Sequence, residues 1–273
     1  RLGVAFSGLD ATSNGVTVTA TAALALRYDL VVGADGIQSR VRGAILGEAP
    51  LRYSGVTCWR GLLNDFEVHG AIEAWGGESG EARIGIVPLR DRQAYYFLVQ
   101  SAPRRAPPLP FPEGFRRVFG SFRGVAGRLI DRLVDQREPP PLHHDLEELD
   151  APLWGRSRVL LLGDAAHAMT PNQGQGAAMA IEDAVGLAIT LRGDVTDALE
   201  RYRSLRHQRV RRVQLDSRRL GQLSHWRAPL ARGLRDALLR AVPGQLGLAQ
   251  YRRVVAPDVD LVDLLKLLGP LPA

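Results

Sequence analysis

Two short segments carry residue types at spacings that could do chemistry. In "VLLLGDAAHAMTPNQGQGAAMAIEDA" (159–184), an apolar run meets Gly163 and Asp164. Pro171, Asn172, Gln173, Gly174, Gln175 and Gly176 follow, and then a helix of small residues. Glycines lower helix propensity where that helix begins, and Ala177, Ala178 and Ala180 remove side-chain bulk. The pattern suits close approach of something flat or anionic to backbone N–H groups at a helix N-terminus. "DLVVGADGIQSRVR" (29–42) is of the same kind: an apolar strand over 30–34, then Asp35 and Gly36 in a polar turn. Ligands of open α/β sheets bind at the carboxyl ends of strands. Two aspartates at such ends, far apart in sequence, predict one ligand site built from both segments. Each aspartate also has a plainer reading as a turn or N-cap residue, and Pro and Gly also give a rigid helix entry.

Other reactive groups are sparser. His167 has an unperturbed pKa near neutrality, but its small-residue turn favours a structural hydrogen bond. Glu182 and Asp183 are adjacent on a helix, where neighbours face apart, so they are not an acid/base pair. No set of His, Cys and carboxylates has metal-ligand spacing, so no metal is expected. Arg83 lies on a strand face opposite Ile84 and Ile86 and reads either as a ligand-facing cation or as a solvent-facing strand arginine. Trp59 and Arg60 lie on opposite faces of their strand, so only one of them can line a pocket. Tyr95, Tyr96 and Phe97 either line it or fill the core.

The elements that must position these residues follow from periodicity. Residues 3–9 and 15–27 alternate loosely around "DATSNG", a hairpin signal. Residues 53–63, 70–75, 82–89 and 94–101 read as strands, and 158–162 as a fully buried strand. The stretch "APRRAPPLPFP" is a loop and "REPPPLHHD" a linker. Residues 113–122 and 125–135 read as helices, and beyond Gly193 the chain is mostly helical. The arginine run over 201–219 reads as a long helix. Its buried stripe is Leu205, Val210, Val213, Leu215 and Leu220, and its basic face is solvated.

At 273 residues, 45% hydrophobic and 23% charged, the chain has the composition of a globular protein with a sizeable core. No apolar run reaches membrane-spanning length. The single cysteine, Cys58, excludes an internal disulfide and fits a reducing cytoplasm. The net charge of +6 is almost wholly arginine, with Lys266 the only lysine. Aromatic residues do not interleave with the arginines as a base-stacking surface requires, so no nucleic-acid partner is expected.

"DLVVGADGIQSRVR" resembles the Asp-Gly fingerprint of flavoprotein monooxygenases of the aromatic hydroxylase class, and "LLLGDAAHAMTPNQGQGAAMAIEDA" resembles their Gly-Asp fingerprint. "YSGVTCWRG", "ARIGIVPL" and "AYYFLV" resemble substrate-domain strands of the branch that holds urate hydroxylases, salicylate-type hydroxylases and zeaxanthin epoxidase. The resemblance implies an α/β fold: a partial Rossmann-like FAD-binding domain, an inserted β-sheet substrate domain and a helical C-terminal part. The corresponding boundaries are 1–50 and 156–192 for FAD binding, 51–155 for substrate and 193–273 for the helices.

It further implies flavin-dependent monooxygenation: NAD(P)H reduces FAD, O2 adds at flavin C4a, and the hydroperoxide oxygenates a small aromatic, purine-like or alkene substrate. By resemblance, Gly163 and Asp164 meet a ribityl or ribose hydroxyl. Pro171, Asn172, Gln173, Gly174, Gln175 and Gly176 flank the isoalloxazine ring. Asp35 and Gly36 approach the pyrophosphate, with Arg42 or Arg40 offsetting like charge. Arg83 faces an anionic substrate, for which a bidentate guanidinium is suited. Pro171, Gly174 and Arg83 are then the catalytic candidates.

The family's opening strand, G-x-G-x-x-G turn and helix have no counterpart in these residues. About a hundred residues would carry them, and a chain without them is expected to hold FAD weakly. A second expectation is therefore a truncated, catalytically silent flavoprotein fragment, or one half of a split flavoprotein. A third is an FAD-dependent halogenase or reductase. Halogenases want a lysine near the flavin, and the position of Lys266 near the C-terminus argues against one.

Overall fold

The computed structural model describes residues 2–21, 24–76, 82–135 and 138–224, and the isolated positions 226, 233, 237 and 254–256. Lys266 and nearly all of the chain expected to be helical after residue 224 lie outside the described residues. The fold is α/β, as the sequence implies, and the chain forms two compact units. Among the described residues, one is built from the chain up to Arg52, from Glu147–Gly221 and from 254–256, the other from Tyr53–Leu146, 222–224 and the isolated positions 226, 233 and 237.

The first unit opens with an antiparallel sheet of β1 (Phe6–Thr12), β2 (Gly15–Ala20) and β3 (Leu24–Tyr28). The expected hairpin is present, but the stretch read as one strand over 15–27 is two paired strands, with Val16 opposite Tyr28. A second sheet holds β4 (Val31–Gly33), β10 (Gly155–Arg156) and β11 (Val159–Leu161), in the order β10-β11-β4. The short strands β4 and β11 run parallel, and Val159, Leu160 and Leu161 are wholly buried. This burial is why β11 reads as a continuous apolar run rather than an alternating one. Helix α1 (Arg40–Leu46) lies so close to β4 that a Cβ on Gly33 would sit 2.7 Å from Val41 Cγ1. Helices α4 (Asp164–His167) and α5 (Gly176–Thr190), and α6 (Ala198–Ser224) up to Gly221, also belong to this unit.

The second unit is a five-stranded sheet of β5 (Arg52–Leu63), β6 (Ile72–Gly76), β7 (Ala82–Pro88), β8 (Ala94–Ser101) and β9 (Leu142–Glu148), in the order β6-β7-β8-β5-β9. One face packs Trp59, Leu63, Ile84, Ile86, Tyr96 and Leu98 against helices α2 (Glu113–Phe119) and α3 (Gly124–Asp135). Helix α3 buries Ala126, Leu129, Ile130, Leu133 and Val134, the i, i+3, i+4, i+7 spacing of a single apolar stripe. Trp59 meets Phe115 edge-on, with centroids 5.4 Å apart, and stacks on His143 at 4.8 Å.

Strand β9 corrects the reading of "REPPPLHHD" as a linker. Its polar run, His143-His144-Asp145, suits a sheet edge, where only one side is paired. His143 Nε2 lies 2.6 Å from Thr57 Oγ1 on the adjacent strand. Among the described residues, no helix is long and apolar enough to cross a membrane.

Candidate functional site

The register of β4 and β11, with Gly33 opposite Leu161, brings the two aspartate turns out side by side at the strands' carboxyl ends. In the first turn the Asp35 carboxylate is fully engaged. It accepts from the Ser39 hydroxyl at 2.5 Å and from the backbone N–H groups of Arg40 at 2.7 Å and Val41 at 3.1 Å. Burial raises the Asp35 carboxyl, but the Ser39 and backbone hydrogen bonds outweigh it and hold the group below its usual range. Ser39 Oγ in turn accepts from Arg42 N–H at 2.9 Å and caps α1. Gly36, at φ 80°, has open space where a Cβ would stand.

Arg42 is buried, and its guanidinium joins the two turns. It donates to Ile37 O at 2.6 Å in the first and to Ala165 O at 2.9 Å in the second.

The second turn is built the other way. Gly163 caps α4 at φ 60°, ψ −139°, and a Cβ there would lie 3.1 Å from Ala180 Cβ. Asp164 follows it, exposed, and among the described residues nothing binds its carboxylate. It is therefore not the N-cap of this turn.

The turn is held instead from beneath by Asp183. Oδ2 of Asp183 accepts from Gly163 N–H at 3.1 Å and from His167 Nε2 at 2.5 Å, and Oδ1 accepts from Arg206 Nε at 2.8 Å. Arg206 also donates to Glu182 at 2.8 Å, and Arg209 grips Glu182 with two bonds of 2.7 Å each. His167, Asp183 and Arg206 are wholly buried, and charges buried as those of Asp183 and Arg206 are tolerated only when paired. Burial pushes the Asp183 carboxyl up, and His167 and Arg206 overcome that and hold it below its usual range. His167 thus has the structural role its turn implied. Glu182 and Asp183 converge on one guanidinium without forming an acid/base pair.

This network corrects the reading of α6. Arg206 and Arg209 are buried, not solvated, because α5 supplies their carboxylates, while Leu205, assigned to the buried stripe, is 42% exposed. Sequence reasoning missed these residues as supports of the site. The available signal was the recurrence of Tyr202, Arg206, Arg209, Val213 and Ser217 at helical spacing, opposite an acidic pair on the preceding helix.

Helix α6 also fixes the loop ahead of α5. Ser217 Oγ donates to Thr170 O at 2.5 Å, and Asn172 Nδ2 donates to Thr170 Oγ1 and Ser217 O, both at 3.0 Å. Pro171–Gln173 form a 3-10 turn closed by Gly174 in the left-handed region, φ 64°. Helix α5 then begins at Gly176 with no side-chain cap from Gln175 and no acidic residue in its first turn. Its leading N–H groups therefore have no side-chain acceptor among the described residues, and their positive end is suited to an electron-rich ring or an anion. These donors, the free Asp164 carboxylate and the open space at Gly36 fit a flavin dinucleotide.

In the second unit, the sheet decides between Trp59 and Arg60. Trp59 enters the helix-covered core, and Arg60 lies on the other face with Cys58, Arg83, Tyr95 and Phe97. Tyr96 fills the core. Arg83 is 6% exposed, so the solvent-facing alternative is overturned. Its Nη1 lies 3.4 Å from Glu73 Oε1, and its guanidinium lies 5.4 Å from the Phe97 ring centroid. Burial pulls the Arg83 guanidinium below its usual range, and Glu73 opposes that. Burial likewise raises the Cys58 thiol and the Tyr95 phenol and lowers His144.

Paired aspartate turns at the ends of parallel strands, above an uncapped small-residue helix, define an α/β protein of the flavin-binding kind. The chain belongs to the FAD binding domain family, whose model matches residues 5–217. It is 40% identical over 223 residues to 2-heptyl-3-hydroxy-4(1H)-quinolone synthase of Pseudomonas aeruginosa, a match covering 78% of this chain and 56% of that protein. It is 33% identical over 258 residues to aurachin C monooxygenase/isomerase of Stigmatella aurantiaca, covering 92% and 66%. The crystal structure of Klebsiella pneumoniae HpxO complexed with FAD and uric acid matches with a TM-score of 0.79 at 27% identity, over 92% of this chain and 66% of that one. The chain thus spans 56% to 66% of the length of these relatives.

Proposed function

We propose that this protein is an FAD-dependent monooxygenase that uses NAD(P)H and O2 to hydroxylate or epoxidise a small aromatic, purine-like or alkene substrate. The observation that carries this is the Gly163–Asp164 turn, a free carboxylate on a rigidly held turn beside the uncapped head of α5. Bound FAD would supply the redox chemistry: acceptance of hydride from NAD(P)H, activation of O2 and transfer of one oxygen atom.

The chain's own residues hold and polarise it. Asp164 accepts from a ribityl or ribose hydroxyl, and the backbone at Gly36 and Gly163 leaves room for the dinucleotide. Asp35 shapes its turn beside the pyrophosphate, and Arg42 keeps the two turns in register. Pro171, Asn172, Gly174, Gln175 and Gly176 present backbone to the ring. N–H groups at the head of α5 favour negative charge there by about 0.3–1 kcal/mol at an exposed site, and by more when water is excluded. In this reading residues 1–50 and 156–192 serve FAD, 51–155 serve the substrate with Arg83 on its sheet, and 193–273 form a helical support.

Identity of 40% to a named quinolone synthase, together with site turns held from below, supports the enzyme reading over a silent fragment. The test uses protein reconstituted with FAD, an alkyl-4(1H)-quinolone, urate and salicylate as probes, and labelled O2. NAD(P)H oxidation stimulated by one of them, with one labelled oxygen in the product, is expected. Flavin-loaded protein that incorporates no oxygen into any probe contradicts the reading.

A further inference from the structure

The sheet face carrying Arg83 holds a second, half-buried cation, Arg60, and the two differ in what balances them. Arg83 has Glu73 beside it at 3.4 Å, and Trp75 Nε1 also donates to Glu73, at 2.6 Å. Arg60 has no carboxylate beside it among the described residues. Among the described residues its guanidinium reaches Cys58, with Nη2 3.9 Å from Sγ, a long contact to a weak acceptor. Its Nε is buried without a hydrogen-bond partner among the described residues.

The groups around Arg60 are not anions that could balance it. Burial raises the Cys58 thiol and the Tyr95 phenol, and burial with the Arg60 charge lowers His144, so each is pushed toward its neutral form. A half-buried guanidinium with an unmet donor and no carboxylate partner among the described residues is costly unless something anionic completes it.

The neighbouring side chains indicate the shape of that partner. Arg60 is in register with Phe97 on β8, and Phe97 is in register with Gly85 on β7. A Cβ on Gly85 would come within 2.0 Å of the Phe97 ring, so glycine there lets the ring lie down on the sheet. Tyr95 stands 6.3 Å from Phe97, centroid to centroid. Half-buried aromatic rings beside an uncompensated guanidinium make a floor for a flat ring with an anionic oxygen at its edge.

We infer that Arg60 is the residue that recognises the anionic oxygen of an aromatic substrate, a carboxylate or a phenolate-type oxygen, while the Arg83–Glu73 pair keeps this sheet face in shape. The inference deepens the monooxygenase reading, from which it takes its substrate.

Calorimetric titration of the full chain with benzoate and with its neutral isostere benzamide tests it. Wild-type protein should bind benzoate at least about tenfold more tightly than benzamide, the effect of one charge-assisted pairing. Arg60→Met should remove that preference and leave benzamide binding within about twofold. Arg60→Lys should retain part of it, since the charge stays and the planar fork goes. Wild-type protein that does not favour benzoate, or Arg60→Met protein that still does, overturns the inference. The titration reads neither flavin content nor oxygen incorporation, so failure of the monooxygenase reading registers separately.

Discussion

The two aspartate turns stand on adjacent parallel strands and look alike in sequence, yet they are built in opposite senses. In the first, Asp35 is the internal fastener: its carboxylate holds Ser39 and two N–H groups at the head of α1. In the second, Asp164 fastens nothing among the described residues, and the fastening is done by Asp183 from α5, which Arg206 of α6 holds in place. The difference teaches where a ligand's share of the hydrogen bonding lies. A carboxylate left exposed and unbonded on a turn that other residues have made rigid is available to a bound hydroxyl at little reorganisation cost.

Removing the remote fastener should have the largest effect. Asp183→Asn leaves Arg206 and the turn without their buried charge partner, a class of change that costs about 3–5 kcal/mol. Urea denaturation measures it, and a loss under about 1 kcal/mol would detach the network from the stability of this unit. The pH dependence has a definite sign. The folded Asp183 carboxyl lies below its ordinary value, so its stabilisation is complete above the unfolded pKa of about 3.9. That stabilisation is lost as pH falls through the lower, folded value. The gap between wild type and Asp183→Asn should therefore be flat above about pH 4 and shrink below it.

Next in size is the tie between the turns. Arg42→Met removes charged hydrogen bonds to Ile37 O and Ala165 O, one in each turn. Loss of such bonds costs about 1.5–3 kcal/mol. Hydrogen exchange should show both turns loosening together, and loosening of the first alone would mean that the turns are independent. A smaller loss, about 0.5–2 kcal/mol, is expected for Asp35→Ala, the scale of a lost helix-start side chain. Denaturation melts of that variant would contradict the assignment if stability did not move.

Much of this is legible in the sequence. The buried strand at 159–161 and the apolar strand at 31–33 stand out as apolar runs, and the alternation of Trp59 with Arg60 requires opposite faces. Strand β9 was hidden because an edge strand beside prolines carries His143, His144 and Asp145 in place of an apolar alternation. The buried arginines of α6 were hidden for a different reason. Arg206 is an ordinary helix-surface residue until α5 is packed on it, and its partner Asp183 lies 23 residues away. Burial of charge depends on pairing, and pairing across elements leaves only a weak trace in one sequence.

The most direct test of the contrast is Asp164→Ala, with FAD affinity and unfolding free energy measured on the same protein. The smallest stability change of the series is expected, within about 0.5 kcal/mol, as for a surface position without partners. FAD affinity should fall roughly ten- to a hundredfold, as for loss of a charge-assisted acceptor. Unchanged FAD affinity, or a stability loss matching that of Asp35→Ala, would contradict the assignment of Asp164 to the ligand.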